Sequence, residues 1–529
     1  MEPSRETLAP FLVGGDMNQV VLKNSSEYGR IKIFADVDEI TKENVLEVFS
    51  AAYNEHMRNA AKEEELFLYE RGFQPILNRE KEIRSQINEK VLENTASAIV
   101  DVHVGYCFGN PITYVQRGSI ENDKRKPVTT AKEDNLRIAM LNKMMAEQGK
   151  AKSDVELARD FMICGLGYQM AWKNDNLRHY SPFKITTLNP MTTFIVYKND
   201  AWRKALLACT FFRHADGSLT ATMYSDKYCF TLRNFNYPQK DDVYPSLTAT
   251  PNILGVIPIV EFANVDRMGV FEKVIPLLNE INVINSDRVN DISQHVQSLL
   301  WMHNCQLDDD KKKSLVDGNG IVATKSNGDG KDAKIQYLTQ TLDQSGVQTL
   351  VDYLERRVEV ITSTPSWQEA SGGSTTGAMQ LSNGWQSLEL SAKSVEQNFT
   401  EPENMLLDVV ARIIDADKTR GKDFEGMDIS DIMPHFTRNK NYDLLAKTNA
   451  LATLINTGVD GLVAFETVGL FPDAEQAYVD SAEGIDRVQK SKTTTNASKD
   501  MNGNGGENND EKPKAGESNE PSKVAMVED

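Results

Sequence analysis

Apolar positions recur every three or four residues through most of the chain, and this spacing predicts a mainly helical protein interrupted by one strand-rich stretch. Thr41 to about Arg71 carries Val45, Val48, Phe49, Ala52 and Tyr53 at helical spacing, and Arg79 to about Tyr106 carries Ile83, Ile87, Val91, Ala98 and Val100. Phe108-Gly-Asn-Pro111 ends the second helix by turn chemistry, with Ile112–Val115 extended beyond it. Lys132–Gln148 and Ser153–Cys164 read as further helices, and Ile31–Phe34 as a short strand. Between about Gly167 and Val265 the pattern shortens to β-branched and aromatic runs at Tyr168–Trp172, Phe194–Tyr197, Leu206–Phe212, Leu219–Tyr224 and Tyr228–Leu232, punctuated by turns such as Asp216-Gly217.

Helical spacing resumes at Phe271–Leu300, with Pro276 in the first turn, and again at Gln344–Thr362, which Pro365 ends. Between these two lies a compact charged insert. Asp308–Asp310 precede Lys311–Lys313, so acids and bases face each other at helical spacing in the order that suits the helix dipole. Gly320–Thr324 and Ala333–Leu338 are expected to pair across the turn Asn327-Gly-Asp-Gly330. A glycine-bearing loop, Ser366–Gly377, follows the second helix. Ala378, Leu381, Trp385, Leu388, Ala392, Val395 and Phe399 then form the most regular stripe in the chain. Thr400 and Glu403 around Pro402 suggest a capping box, and therefore a kink or restart. Further helices are expected at Glu403–Ala416, Tyr442–Asn456 and Val463–Val468, with a strand at Ile432–Thr437. Beyond Gly484 the composition is that of a disordered tail.

A chain of 529 residues with 40% hydrophobic content implies several packed regions. No apolar run is long enough to span a bilayer, and Met1–Asn18 lacks the basic-then-apolar pattern of a signal peptide. The five scattered cysteines, with no CxxC pair, suit free thiols in a reducing compartment. A net charge of -19 excludes a global grip on nucleic acid, although screening leaves local charge to decide what happens near a strand.

Catalytic signatures are missing. Gly318-Asn-Gly320-Ile-Val-Ala323 follows a charged helix rather than a strand and is an accidental dinucleotide match. There is no P-loop, HExxH or GxSxG, and His303 with Cys305 lacks a second ligand pair, so no metal or cofactor is expected. Lys311, Lys312, Lys313, Lys325, Lys331 and Lys334 cluster on the insert of an otherwise acidic chain; a partner- or DNA-facing surface and a merely soluble module are both open readings. For the loop, the plainer reading is a surface connection. The functional one is small, weakly charged contacts to a moving polymer, made by Trp367, Gln368, Glu369, Ser371, Gly372, Gly373, Ser374, Thr375, Thr376 and Gly377.

Several stretches together resemble the portal proteins of tailed bacteriophages, of the siphophage type. They are Asn94 with Val100-Asp-Val-His-Val-Gly-Tyr-Cys-Phe-Gly-Asn-Pro-Ile-Thr-Tyr114, Gly165-Leu-Gly-Tyr168, Leu188-Asn-Pro190, Val196-Tyr197, Ile257-Pro-Ile-Val-Glu-Phe-Ala-Asn264, Phe271-Glu272 and Asn285-Ser-Asp287, in order from about Ile40 to Thr467. Two positions depart from the pattern: Lys440 stands where proline is expected, and Gln380 where lysine is common.

The resemblance implies an α+β, predominantly helical ring subunit. Its parts would be an N-terminal arm (1–36), a mixed wing (37–269, with 378–441), stem helices (270–300 and 344–363), a small α/β clip (301–343), a tunnel loop (364–377), a long channel helix with the wing return (378–441), a helical crown (442–483) and the tail (484–529). It also implies a homo-oligomeric ring, a dodecamer in this family, at one capsid vertex of the virion, assembled in the host cytoplasm. Double-stranded DNA would pass through, bound weakly and without sequence preference, during packaging and ejection. The implied partners are the large terminase subunit on the clip, head-completion adaptors, and the major capsid and scaffolding proteins. No enzymatic activity and no membrane association are implied. Two competing readings are a scaffold or minor capsid protein without a channel, and a metal-dependent nucleic-acid enzyme.

Overall fold

Alternating burial along the middle of the chain produces two sheets that share a core. In the computed structural model the described residues are 29–81, 85, 87–116, 128–174, 180–235, 245–296, 299–303, 305–306, 325–326, 334–338, 344–366, 384–417, 432–438, 444–468, 470, 477–478 and 481. They form two units, Met1–Asn439 and Lys440–Asp529. Mixed α/β structure, with helices predominating, is what the patterning predicts.

The larger sheet has six strands in the order β1 (Ile33–Ala35), β5 (Thr193–Lys198), β6 (Ala205–Arg213), β7 (Leu219–Tyr224), β8 (Tyr228–Phe235) and β9 (Ser246–Pro251). All its pairings are antiparallel except β1 with β5. Helix α1 (Val45–Glu70) lays Val45, Phe49, Ala52 and Tyr53 on one face of this sheet, against Phe194, Leu207, Phe211, Phe230 and Phe235. The opposite face packs, through Ile195, Ala208 and Tyr224, on Leu166, Tyr168 and Ile259 of a three-stranded sheet ordered β10 (Ile259–Ala263), β3 (Leu166–Lys173), β4 (Phe183–Leu188). Sequence patterning does not single out β4, β9 or β10, whose few apolar positions are ordinary outside their sheets.

Helices α2 (Thr95–Phe108), α3 (Val128–Glu147), α4 (Lys150–Cys164), α5 (Ile275–Val296), α6 (Gln344–Thr362) and α7 (Trp385–Ala416) complete the first unit. Gly165 joins α4 to β3 at φ +74, and a Cβ there would stand 2.4 Å from the backbone of Met268, so only glycine fits. Phe399 of α7 sits at the core's centre, its ring 4.8 Å from Phe108, 4.9 Å from Phe161 and 5.1 Å from Phe262. A two-stranded ladder joins β2 (Thr113–Gln116) to β15 (Ile432–His435).

The structure corrects three expectations. The described residues between Arg79 and Asn94 (79–81, 85 and 87–94) are not helical: a single 3-10 turn at Pro75–Asn78 leads into an irregular strap, and the helix begins only at Thr95. The helix with Pro402 neither restarts nor forms a capping box. It runs unbroken from Trp385 to Ala416, the Thr400 hydroxyl donates back to the Glu396 carbonyl at 2.7 Å, and Glu403 turns instead to Lys150. The first hairpin helix stops at Val296. Leu299–His303 (β11) is a strand, and it pairs antiparallel with Lys334–Leu338 (β14), the strand expected to pair with Gly320–Thr324. Residues 320–324 lie outside the described residues.

The second unit contains α8 (Leu444–Asn456) and α9 (Gly461–Val468), separated by Gly458 at φ +89. Phe465 is buried there and packs edge-on against Tyr478, with ring centroids 5.9 Å apart.

Candidate functional site: a helical hairpin, its tip and its loop base

Helices α5 and α6 pack together as the two limbs of a hairpin. Three small polar side chains, Asn282, Ser286 and Asn290, lie one helical turn apart on α5 and are wholly buried. They face the strap instead of an apolar neighbour. Asn282 accepts from the Glu93 amide at 2.8 Å, Ser286 from the Val91 amide at 2.9 Å and Asn290 from the Glu89 amide at 2.7 Å. Asn290 also donates to the Glu89 carbonyl at 3.1 Å. The match is geometric. Four residues of helix rise about 6 Å and two residues of extended chain about 6.6 Å, so every second strap amide meets the next turn of α5. The strap's backbone, which has no sheet to join, is thereby satisfied. Arg79 closes its start, its Nη2 donating to both carboxylate oxygens of Asp287 at 2.8 and 3.0 Å.

At the tip, β11 pairs with β14, and β12 (Cys305–Gln306) pairs with β13 (Lys325–Ser326). The two chains leaving and re-entering the hairpin therefore tie its end with strands. Lys325 opens β13 and Lys334 opens β14, opposite His303. Lys311, Lys312, Lys313 and Lys331 lie outside the described residues. His303 and Cys305 are neighbours along these strands, and no group of three or more His, Cys, Asp or Glu among the described residues is placed to hold a metal.

At the other end of α6, the loop has a fixed base. Thr362 hydrogen-bonds back to the Val358 carbonyl at 2.8 Å, and its hydroxyl lies 2.8 Å from that of Thr364. His103 of α2 donates from Nε2 to the Thr362 carbonyl at 2.9 Å. Burial pulls the His103 pKa down to about 4, against the opposing effect of that bond, so the ring is neutral at physiological pH. Where the chain returns, Gly384 sits at φ +82 with its missing Cβ position 3.5 Å from the Pro365 Cα. The two ends of the segment between Pro365 and Gly384 therefore touch. Trp385 follows at once, tilted against Tyr106 at 6.0 Å, and Tyr106 donates to Glu389 at 2.5 Å. The predicted loop residues Trp367, Gln368, Glu369, Ser371, Gly372, Gly373, Ser374, Thr375, Thr376 and Gly377 all lie outside the described residues, as do the departing positions Gln380 and Lys440.

The hairpin is locally acidic. Burial, then the neighbouring charges of Glu93, Asp352 and Glu359, raise the Glu355 carboxyl above its ordinary value. Along α6 the acids Asp352, Glu355 and Glu359 outnumber the bases Arg356 and Arg357 by one.

Comparison with known families decides the assignment. A family model described as phage portal protein, SPP1 Gp6-like, matches residues 48–460, well over half of the chain. The chain belongs to the phage portal protein family. No curated protein matches it. The match covers the strap, both hairpin helices, the tip strands, the loop base and α7. The portal family is a structural one whose members assemble as homo-oligomeric rings in phage capsids. Among the described residues, no helix is long and apolar enough to cross a membrane.

The polar ladder of α5 is the feature that sequence reading missed. Its signal is visible: Asn282, Ser286 and Asn290 form an i, i+4, i+8 polar stripe inside an otherwise amphipathic helix, a pattern that announces a polar partner and not solvent.

Proposed function

We propose that copies of this chain close into a ring, twelve in the assembled particle, that forms the DNA channel at one vertex of the capsid. The hairpin α5–α6 is the stem, 301–343 the clip, 364–377 the tunnel loop, α7 the helix above it, 37–269 the wing and 442–483 the crown. Double-stranded DNA is driven through the bore by the terminase during packaging and leaves by the same route at infection. The clip, including Lys311, Lys312, Lys313, Lys325, Lys331 and Lys334, is the docking surface for the large terminase subunit and later for head-completion adaptors. Capsid and scaffolding proteins surround the ring.

The observation that carries this reading is the hairpin with a loop mounted on a pinned base. His103 and Thr362 fix where the chain leaves α6, and Gly384 returns beside Pro365, so both flanks of the proposed tunnel loop are held together at one end of the stem, a placement that suits contact with a sliding duplex. The chain's net charge of -19 supports it as well: an acidic subunit does not hold DNA by many phosphate contacts, so movement does not require breaking strong ion pairs.

Ring closure needs a heterologous interface. Helix α6 offers one: Leu350, Tyr353 and Val360 lie along one stripe and are 48%, 60% and 61% exposed, an apolar face free to meet another copy. On this reading they seat against the hairpin of the next copy. Electron microscopy of the purified chain tests the proposal. Rings with a central hole support it; rings without an opening, or monomers alone, would refute it in favour of a minor capsid or scaffold role.

A further inference from the structure

The six-stranded sheet has two unlike edges. β1 is three residues long, is paired in parallel with β5, and follows directly on an anchored piece of chain. There Arg30 is wholly buried, its amide donates to the Arg267 carbonyl at 3.1 Å, and Arg267 returns a bond to the Arg30 carbonyl at 2.8 Å. Gly29 has no room for a side chain, since a Cβ there would stand 2.1 Å from the Asp266 carbonyl oxygen. β9, at the opposite edge, is different. It spans Ser246–Pro251, its register with β8 has no bulge, and it carries no charged residue. Ser246, Thr248 and Thr250 are exposed. Among the described residues no strand pairs its outer side. Proteins ordinarily guard such an edge with lysines, bulges or extreme shortness; β9 has only a proline at its end.

We propose that the outer edge of β9 takes an extended segment of a second copy of this chain, the stretch Gln19–Lys23 of the arm ahead of Gly29, by strand addition. The inference rests on the ring reading. In a ring of identical subunits one flank of each copy meets the other flank of the next. Gly29 and Arg30 are anchored just ahead of β1, and β9 lies five strand spacings away, about 24 Å, at the opposite edge of the sheet. On the ring reading, neighbouring copies that meet edge to edge of this sheet would set the arm's anchor at Gly29 beside the next copy's β9. The arm also contains the right chemistry: of its two three-residue apolar runs, Phe11-Leu12-Val13 and Val20-Val21-Leu22, the second is the more β-branched and the nearer to Gly29, and backbone pairing to an uncharged edge needs no side-chain charge match.

Mixed assembly tests this. Chains carrying Val20→Cys, Val21→Cys or Leu22→Cys are co-assembled with chains carrying Thr248→Cys, all in a Cys229→Ser background because Cys229 sits opposite Thr250 on β8. After mild oxidation, disulfide-linked dimers from intact rings, absent from the unfolded mixture, are expected for at least one arm position. Rings that yield no dimer overturn the proposal. So does a chain bearing both cysteines that cross-links only to itself, which would place the arm on its own β9. Hydrogen exchange gives a second readout: peptides covering 246–251 should be protected in rings of the whole chain and exchange at least tenfold faster in rings lacking residues 1–28. Unchanged protection would assign the edge to another occupant. Rings intact without cross-links sink this inference alone, whereas failure of the whole chain to form rings sinks the ring reading with it.

Discussion

Removing the polar ladder of α5 should release the strap, and the size of the effect follows from its hydrogen bonds. In Asn290→Ala the Glu89 amide loses its acceptor at 2.7 Å and the Glu89 carbonyl its donor at 3.1 Å, at a position with no solvent exposure. Each buried group left unpaired costs about 1–3 kcal/mol. The strap can recover part of this by opening to water, so local opening becomes easier by roughly 2–4 kcal/mol. At about 1.4 kcal/mol per tenfold, amide exchange in peptides covering 87–94 should accelerate by roughly 30-fold to several hundred-fold. Ser286→Ala removes one acceptor and should give the smaller end of that range. Asn285→Ala is the control: its bond to the Glu93 carboxylate at 3.1 Å is exposed, and its loss should change exchange by less than threefold. Hydrogen exchange read by mass spectrometry on folded protein is the assay. Exchange in 87–94 that stays at the wild-type rate in Asn290→Ala would show that the ladder does not hold the strap.

Other outcomes follow from the core and the proposed site. Phe399→Ala should cost about 3–5 kcal/mol in denaturant unfolding, because it empties the space between Phe108, Phe161 and Phe262. The buried Lys150 bridges Asp154 and Glu403, each at 2.5 Å, so Lys150→Met should cost about 3–5 kcal/mol by stranding two carboxylates, and adding Glu403→Gln should recover part of it; a double variant no more stable than the single would contradict the pairing. Burial raises the Glu63 carboxyl to about 7. The folded state then keeps a proton that the unfolded chain releases near its ordinary value of 4.5, so stability falls as pH rises from about 4 to about 7 and levels off above. Glu63→Gln should flatten that slope, worth roughly 3 kcal/mol across the window. Shortening Gly372–Gly377 should impair DNA packaging while rings persist, and reversing the charge of the clip lysines should weaken terminase binding; loss of rings in the first case, or unchanged binding in the second, would count against those roles.

Much of this architecture is legible in the sequence because it depends on local periodicity. The stripe Trp385, Leu388, Ala392, Val395, Phe399 predicts a helix, and four of its five members reach the core. The β5–β8 meander is equally plain from its alternating runs. What escapes is whatever depends on distant partners. Ile83, Ile87 and Val91 have helical spacing, yet residues 87–94 form no helix, and α5, nearly two hundred residues later, supplies their hydrogen bonds. Leu299 and Leu300 read as the end of a helix, but they open a strand, Leu299–His303, whose partner is β14 across the insert. Pro402 signals a break, and the surrounding core outweighs the single hydrogen bond it removes. In the hairpin region, the helices could be read directly; the ladder that positions them could be read only as an unexplained polar stripe.

Single-particle electron microscopy of the purified full-length chain tests the central claim most directly. The account predicts closed rings of identical subunits around an open hole wide enough for a duplex, with the α5–α6 hairpins clustered about the axis. Particles that remain monomeric at micromolar concentration, or closed assemblies whose axis is blocked by packed protein, would contradict it.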